Sequence, residues 1–176
     1  MSRLKNALKY TGCRSCFACK VLGGKSFAKC AVRDDLEGVL QKILSADALF
    51  VAAPIYFGQV PGMVRSFYER LWFPSLLYRA DGKTAYPHTL KTGLIYTMNS
   101  PDANFYRATI NEDSNAFRFL VGDTKVLTAC DTLQFSDYSK YSSSMFDAEH
   151  KKAVHETQFP KDLERARQFG ISLIKE

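Results

Sequence analysis

Ala46-Asp47-Ala48-Leu49-Phe50-Val51-Ala52-Ala53-Pro54-Ile55-Tyr56-Phe57-Gly58 is the stretch that decides the fold. Leu49 to Ala53 is a short continuous apolar run, the length and composition of a strand buried on both faces of a parallel sheet. Pro54 cannot donate to a sheet ladder and ends the strand. Behind it Ile55, Tyr56, Phe57 and Gly58 form a loop of two aromatics followed by a residue free to turn. Open α/β sheets bind ligands outside the carboxyl ends of their strands, so this loop is the first candidate ligand site.

Upstream, Asp34 to Asp47 places Leu36, Val39, Leu40, Ile43 and Leu44 at helical spacing. Asp34 is placed to cap that helix, and Glu37 to complete a capping-box-like pair. Downstream, Val60-Pro61-Gly62 starts another helix, with Met63, Val64, Phe67, Tyr68 and Leu71 inward and Arg65, Glu69 and Arg70 elsewhere. Trp72 to Pro87 reads as an aromatic-rich connection that packs over the sheet or between subunits. Thr92 to Met98 is a second buried strand, and Asn99-Ser100-Pro101-Asp102 is the polar turn after it. A helix is expected over Phe105 to Val121, a third strand over Lys125 to Phe135, and a last helix over Lys161 to Lys175. Strands alternating with helices indicate an α/β domain with a parallel sheet.

The 176 residues suffice for one domain with a real core, expected over 1–176. Hydrophobic residues are 46% and charged residues 24%, which argues against disorder. Neither a leader peptide nor an apolar run of membrane-spanning length is visible, so a soluble cytoplasmic protein with no membrane partner is expected. The net charge of +6 is scattered along the chain and suits phosphorylated cofactors. A basic stripe with stacking aromatics is missing, which excludes a nucleic-acid reader.

Cys13, Cys16, Cys19 and Cys30 crowd one segment, while Cys130 stands alone as a small core residue. Three cysteines at intervals of three can wrap a loop around one metal or cluster, because thiolates suit zinc and iron–sulfur centres. Reduced thiols packing a loop are the alternative. Gly23-Gly24-Lys25-Ser26 imitates the end of a phosphate-binding P-loop, but Cys19 stands where its first Gly belongs and no strand precedes it. His88, His150 and His155 have no ligand or triad spacing and are expected in solvent.

The ordered set of the cysteine cluster, Val32-Arg33-Asp34-Asp35, Ser45-Ala46-Asp47, Ala53-Pro54-Ile55-Tyr56-Phe57-Gly58 and Glu69-Arg70 resembles the flavodoxin-like NADPH-dependent FMN reductase family, especially its iron–sulfur flavoprotein branch. The resemblance runs from about Tyr10 to the C-terminus. It implies a five-stranded parallel sheet flanked by helices, bound FMN, NADPH as reductant, and electron transfer through the flavin. Pro54, Ile55, Tyr56, Phe57 and Gly58 match the loop against the flavin ring, and Thr97, Met98, Asn99 and Ser100 match a later flavin-contacting loop. Cys13, Cys16, Cys19 and Cys30 fall where iron–sulfur flavoproteins bind a [4Fe–4S] cluster, although the gap before Cys30 is longer here.

The family opens with a strand, a phosphate-binding loop and a long helix ahead of the cysteines, and residues 1 to 12 do not read that way. The expectation is therefore an N-terminally incomplete family member with an exposed edge on the strand at 48–53. The implied function is an FMN oxidoreductase that accepts hydride from NAD(P)H and passes electrons to a small-molecule or protein acceptor, within a homo-oligomer such as a dimer. The alternatives are a cofactor-free binding or assembly module, and a metal-binding protein that uses only the cysteine loop.

Overall fold

A computed structural model describes residues 8–85 and 90–175; Pro87 and His88 lie outside the described residues. Three parallel strands form the sheet: β1 (Ala48–Pro54), β2 (Lys91–Thr97) and β3 (Thr124–Ala129), in the order β1-β2-β3. Val51 pairs with Leu94 and Ala53 with Tyr96, while Leu94 pairs in turn with Val126. Five helices surround the strands among the described residues: α1 (Glu37–Ile43), α2 (Gly62–Ser75), α3 (Arg107–Leu120), α4 (Ala148–Thr157) and α5 (Phe159–Lys175). This is the α/β arrangement with a parallel sheet expected from the alternation of strands and helices, and the flavodoxin-like fold that the family resemblance implies. Three strands of the implied five are present among the described residues.

Side-chain alternation explains the layering. Val51, Ala53, Leu94 and Tyr96 are buried and face α2 and α3, where Tyr68, Trp72 and Phe117 stack edge-to-face and face-to-face at 4.8 to 5.2 Å. Burial pushes the Tyr96 hydroxyl and the Asp113 carboxyl upward, and the hydroxyl donates to Asp113 Oδ2 at 3.1 Å. On the opposite face Phe169 of α5 meets Phe50 of β1 edge-to-face at 6.2 Å. That contact crosses Gly93, where an added Cβ would lie 2.7 Å from the Phe50 ring and 2.9 Å from the Phe169 ring. Among the described residues β1 has a strand partner on one edge only.

Several local readings change. Helix α1 is shorter than 34–47, because the Asp34 carboxylate is engaged by Arg70 and gives the helix only a turn-like bond from the Leu36 N–H at 3.1 Å. Glu37 does not reach back to a cap; its carboxylate accepts from Gln41. Helix α2 runs on through Trp72 and Pro74 to Ser75, and Trp72 is a core residue instead of part of a connection. Arg70, expected elsewhere on α2 than its inward face, is fully buried. Strand β3 stops at Ala129, because Asp131 adopts φ 53° and turns residues 130–135 over the sheet end.

Helix α4 has no counterpart in the hydrophobic pattern. Asp147 caps it by accepting from the His150 N–H at 3.0 Å, and its one buried side chain is Lys151. On α5, Leu173 is buried, whereas Leu163 and Ile174 are exposed.

Candidate functional site

The carboxyl ends of the three strands open into one crevice of about 560 Å³, a volume typical of cofactor sites. Its β1 wall is Pro54, Ile55, Tyr56 and Phe57; its β2 wall is Thr97, Met98 and Asn99. The two expected loops therefore face each other, with Gly58 and Ser100 just outside the lining. The walls are joined by a parallel bond continued past the strand, from the Ile55 N–H to Thr97 O at 2.9 Å.

Residues Tyr56 to Gln59 form a tight hairpin, with reciprocal backbone bonds of 2.8 and 3.0 Å. Both central residues have positive φ, Phe57 at 51° and Gly58 at 81°, the pattern of a type I′ turn. Glycine accepts that conformation; phenylalanine holds it at a cost, and residues held this way concentrate at ligand sites. The turn is anchored on α3 by the Thr109 hydroxyl, which donates to Gly58 O at 2.6 Å. Consequently the Phe57 ring is fully exposed and that of Tyr56 largely so, two apolar rings at a ligand mouth.

The loop after β3 supplies Thr132, Leu133 and Gln134, and the segment before α4 supplies Phe146. None of these was singled out from sequence. The loop is fastened by the Thr132 N–H to Met98 O at 3.1 Å and the Asp131 N–H to Ser100 O at 2.8 Å. Lys151 locks α4 onto it. The buried ammonium donates to Asn99 O at 3.1 Å and to the Asp131 carboxylate, which also bonds His150 Nε2 at 2.6 Å. Burial alone would raise the Asp131 pKa, but the Lys151 and His150 bonds outweigh it and hold the carboxyl below its usual range. His150 is thus partnered as well as half-exposed, and His155 stacks on Phe159 at 4.9 Å.

The lining suits a flavin ring. It carries no charged side chain, two exposed aromatics can cover a planar face, and Asn99 Oδ1 is buried without a hydrogen-bond partner among the described residues. A buried orphan acceptor is costly unless a donor arrives, and the polar edge of a flavin offers an N–H. The same lining holds no cation for a phosphate group.

The cysteines lie elsewhere, along the second half of α2. Cys13, Cys16, Cys19 and Cys30 all border one narrow hollow of about 10 Å³, room for about one water. Arg70 closes it with all of its donors used. Nε donates to Cys30 Sγ at 2.8 Å, Nη1 to Thr11 O at 3.0 Å and Asp34 Oδ2 at 2.7 Å, and Nη2 to Val32 O and Asp34 Oδ1, each at 3.1 Å. The Arg70 bond, more than any other influence, holds the Asp34 carboxyl below its usual range. Glu69 accepts the Cys13 N–H at 3.1 Å, so Glu69-Arg70 is the clamp on this loop. All five cysteines are free thiols, and burial pushes those of Cys19 and Cys130 up. Among the described residues no three donors converge on a point that could hold a metal ion. The thiols share a wall without forming a coordination sphere. Cys130 packs against the core, as expected.

Residues 3–93 match the family described as NADPH-dependent FMN reductase. Over 58 residues the chain is 33% identical to an iron–sulfur flavoprotein of Methanosarcina thermophila, covering 33% of this chain and 28% of that one. It is 40% identical over 58 residues to an iron–sulfur flavoprotein of Archaeoglobus fulgidus, covering 33% and 26%. The matched stretch thus spans about a quarter of the length of these curated relatives. A crystal structure of a candidate quinone reductase from Klebsiella pneumoniae aligns with TM-score 0.43 at 18% identity, covering 75% of this chain and 56% of that one. Among the described residues no helix is long and apolar enough to cross a membrane.

Proposed function

Because this chain belongs to the NADPH-dependent FMN reductase family, we propose that residues 1–176 act as one flavodoxin-like domain whose crevice holds the FMN ring. The observation that carries this reading is the uncharged crevice at the strand ends, with the exposed rings of Tyr56 and Phe57 on one wall and Asn99, whose buried Oδ1 has no partner among the described residues, on the other. When bound, FMN would accept hydride from NAD(P)H and release electrons to a small-molecule or protein acceptor.

The chain's own residues have separable tasks. Tyr56 and Phe57 cover an apolar ring face and keep water from it. Asn99 accepts from the polar edge of the ring, while its backbone is held by Lys151. Thr97 and Met98 form the wall beneath, fixed through Ile55 and Thr132. Orientation and exclusion of water are the protein's contribution; the redox chemistry belongs to the cofactor. Since the thiols lack a converging geometry, no step of this reading runs through a cluster.

Titration of the purified chain with FMN, followed by quenching of flavin fluorescence, tests the proposal. Saturable binding is expected. Tyr56→Ala should weaken it by about fivefold, the loss of one ring contact of about 1 kcal/mol, with unchanged circular dichroism. Equal affinity in that variant, or failure of the unaltered chain to bind, would overturn the assignment.

A further inference from the structure

Ten residues separate Cys19 from Cys30, and the flavin reading uses none of them. They fold as successive turns, with the Gly24 N–H on Val21 O and the Lys29 N–H on Ser26 O, both at 3.0 Å. Ala28, at φ 61°, ties the loop back through its N–H to Cys19 O at 2.9 Å. Lys20 pins the near end to the backbone of α2, donating to Phe73 O and Leu76 O.

So fastened, the loop faces the seam between α1 and the last turns of α2 and bounds a cavity of about 300 Å³. Leu40 of α1 and Leu71 of α2 contribute apolar surface. Lys25, Lys29 and Arg33 contribute three cations, against one carboxylate from Glu37. Among the described residues, none of these three cations makes an ion pair or a hydrogen bond. Arg70 also lines the cavity, but its charge is matched by Asp34. Like charges gathered around a concave, partly apolar wall repel one another and focus a positive potential into it. An anion that also fills the apolar wall relieves both conditions at once.

We propose that this cavity is a second binding site, for a small amphiphilic anion: one carboxylate or phosphate group on a compact apolar body. It is separate from the crevice. Gly62 opens α2 beside the aromatic loop, whereas Arg70, Leu71, Pro74 and Ser75 border the cavity, about 15 Å further along the helix at 1.5 Å per residue. It is not a P-loop either, because Ser26 is followed by turns and no helix; here side chains meet the oxyanion. Cys30 borders both this cavity and the cysteine hollow, so an occupant shields the Cys30 thiol.

The test is a titration of the full chain, followed by backbone amide shifts, with 1-naphthyl phosphate and with 1-naphthoate. Inorganic phosphate and 1-naphthol serve as the two halves of the probe. Saturable shifts at residues 25–29 and 37–44 are expected for at least one naphthyl anion, and whichever binds tighter assigns the headgroup. Each half alone should bind at least about tenfold more weakly. Lys25→Gln with Lys29→Gln should weaken binding by about tenfold with an unchanged melting curve, since both side chains are exposed. The occupant should also slow alkylation of Cys30 by iodoacetamide. Shifts confined to residues 54–57 and 97–99, naphthol binding as tightly as the anions, or full affinity in the lysine double variant would each overturn the proposal.

Discussion

Arg70→Met is the most revealing single change in this chain. Met keeps much of the stem volume and removes every donor of a side chain with no exposed surface. The Asp34 carboxylate, 14% exposed, loses both of its Arg70 bonds, and Thr11 O, Val32 O and Cys30 Sγ lose theirs. Removing one partner of a buried ion pair costs about 3–5 kcal/mol, because the other charge is stranded. Arg70 borders a cavity that admits water, which places the expected loss near the lower bound, about 3 kcal/mol. A small domain has only about 5–15 kcal/mol to lose. Urea unfolding followed at Trp72, the single tryptophan, reads the change directly. Adding Asp34→Asn to the variant neutralises the stranded charge and should recover a measurable part of the loss.

The acid limb supplies an independent check. Arg70 depresses the Asp34 pKa in the folded state, so the pair contributes stability that is complete above the unfolded value of 3.8 and lost as pH falls through the lower folded value. The gap between the parent chain and Arg70→Met should therefore narrow below pH 3.8. A loss under about 1 kcal/mol at pH 7, or a gap that stays constant into acid, would refute the clamp.

Phe57→Gly should uncouple stability from binding. Glycine holds the same left-handed conformation without the Cβ clash, which relieves about 1 kcal/mol and offsets the backbone entropy of glycine at about 0.5–1 kcal/mol, and a fully exposed ring forfeits no packing. The expected result is an unchanged or higher Tm with weaker FMN binding; a clear fall in Tm would show that the ring packs internally. Gly93→Ala should cost about 1–3 kcal/mol in urea unfolding, because its Cβ would press on Phe50 and Phe169 at 2.7 and 2.9 Å. No loss there would mean that α5 does not sit on the sheet at that point.

The elements legible in the sequence are those whose burial is apolar. Val51, Ala53, Leu94 and Phe117 announce β1, β2 and α3, and the Pro54 break locates the aromatic loop at the strand ends. The helix that periodicity missed, α4, is held by a buried cation. Lys151 is the buried side chain of α4, so a hydropathy pattern records that helix as polar loop, although the Asp147 cap and the absence of Gly or Pro over 148–157 were available signals. Arg70 is left off the inward face of α2 for the same reason. In each case the partner is a carboxylate far along the chain, Asp131 twenty residues from Lys151 and Asp34 thirty-six from Arg70, and a local pattern cannot pair them.

Both cations fasten loops that line one of the proposed sites. Lys151 seats α4 and fixes the Asn99 backbone at the crevice, and Arg70 fixes Cys30 and Val32 between the hollow and the cationic cavity. An apolar residue at either place could fill the volume, but it could not hold a loop carbonyl and a distant carboxylate in fixed directions at once. The sheet positions the crevice, and the two buried charges hold the loops that line it and its neighbours. The sequence pattern therefore exposes the scaffold and hides the fasteners of the loops at its strand ends and along α2.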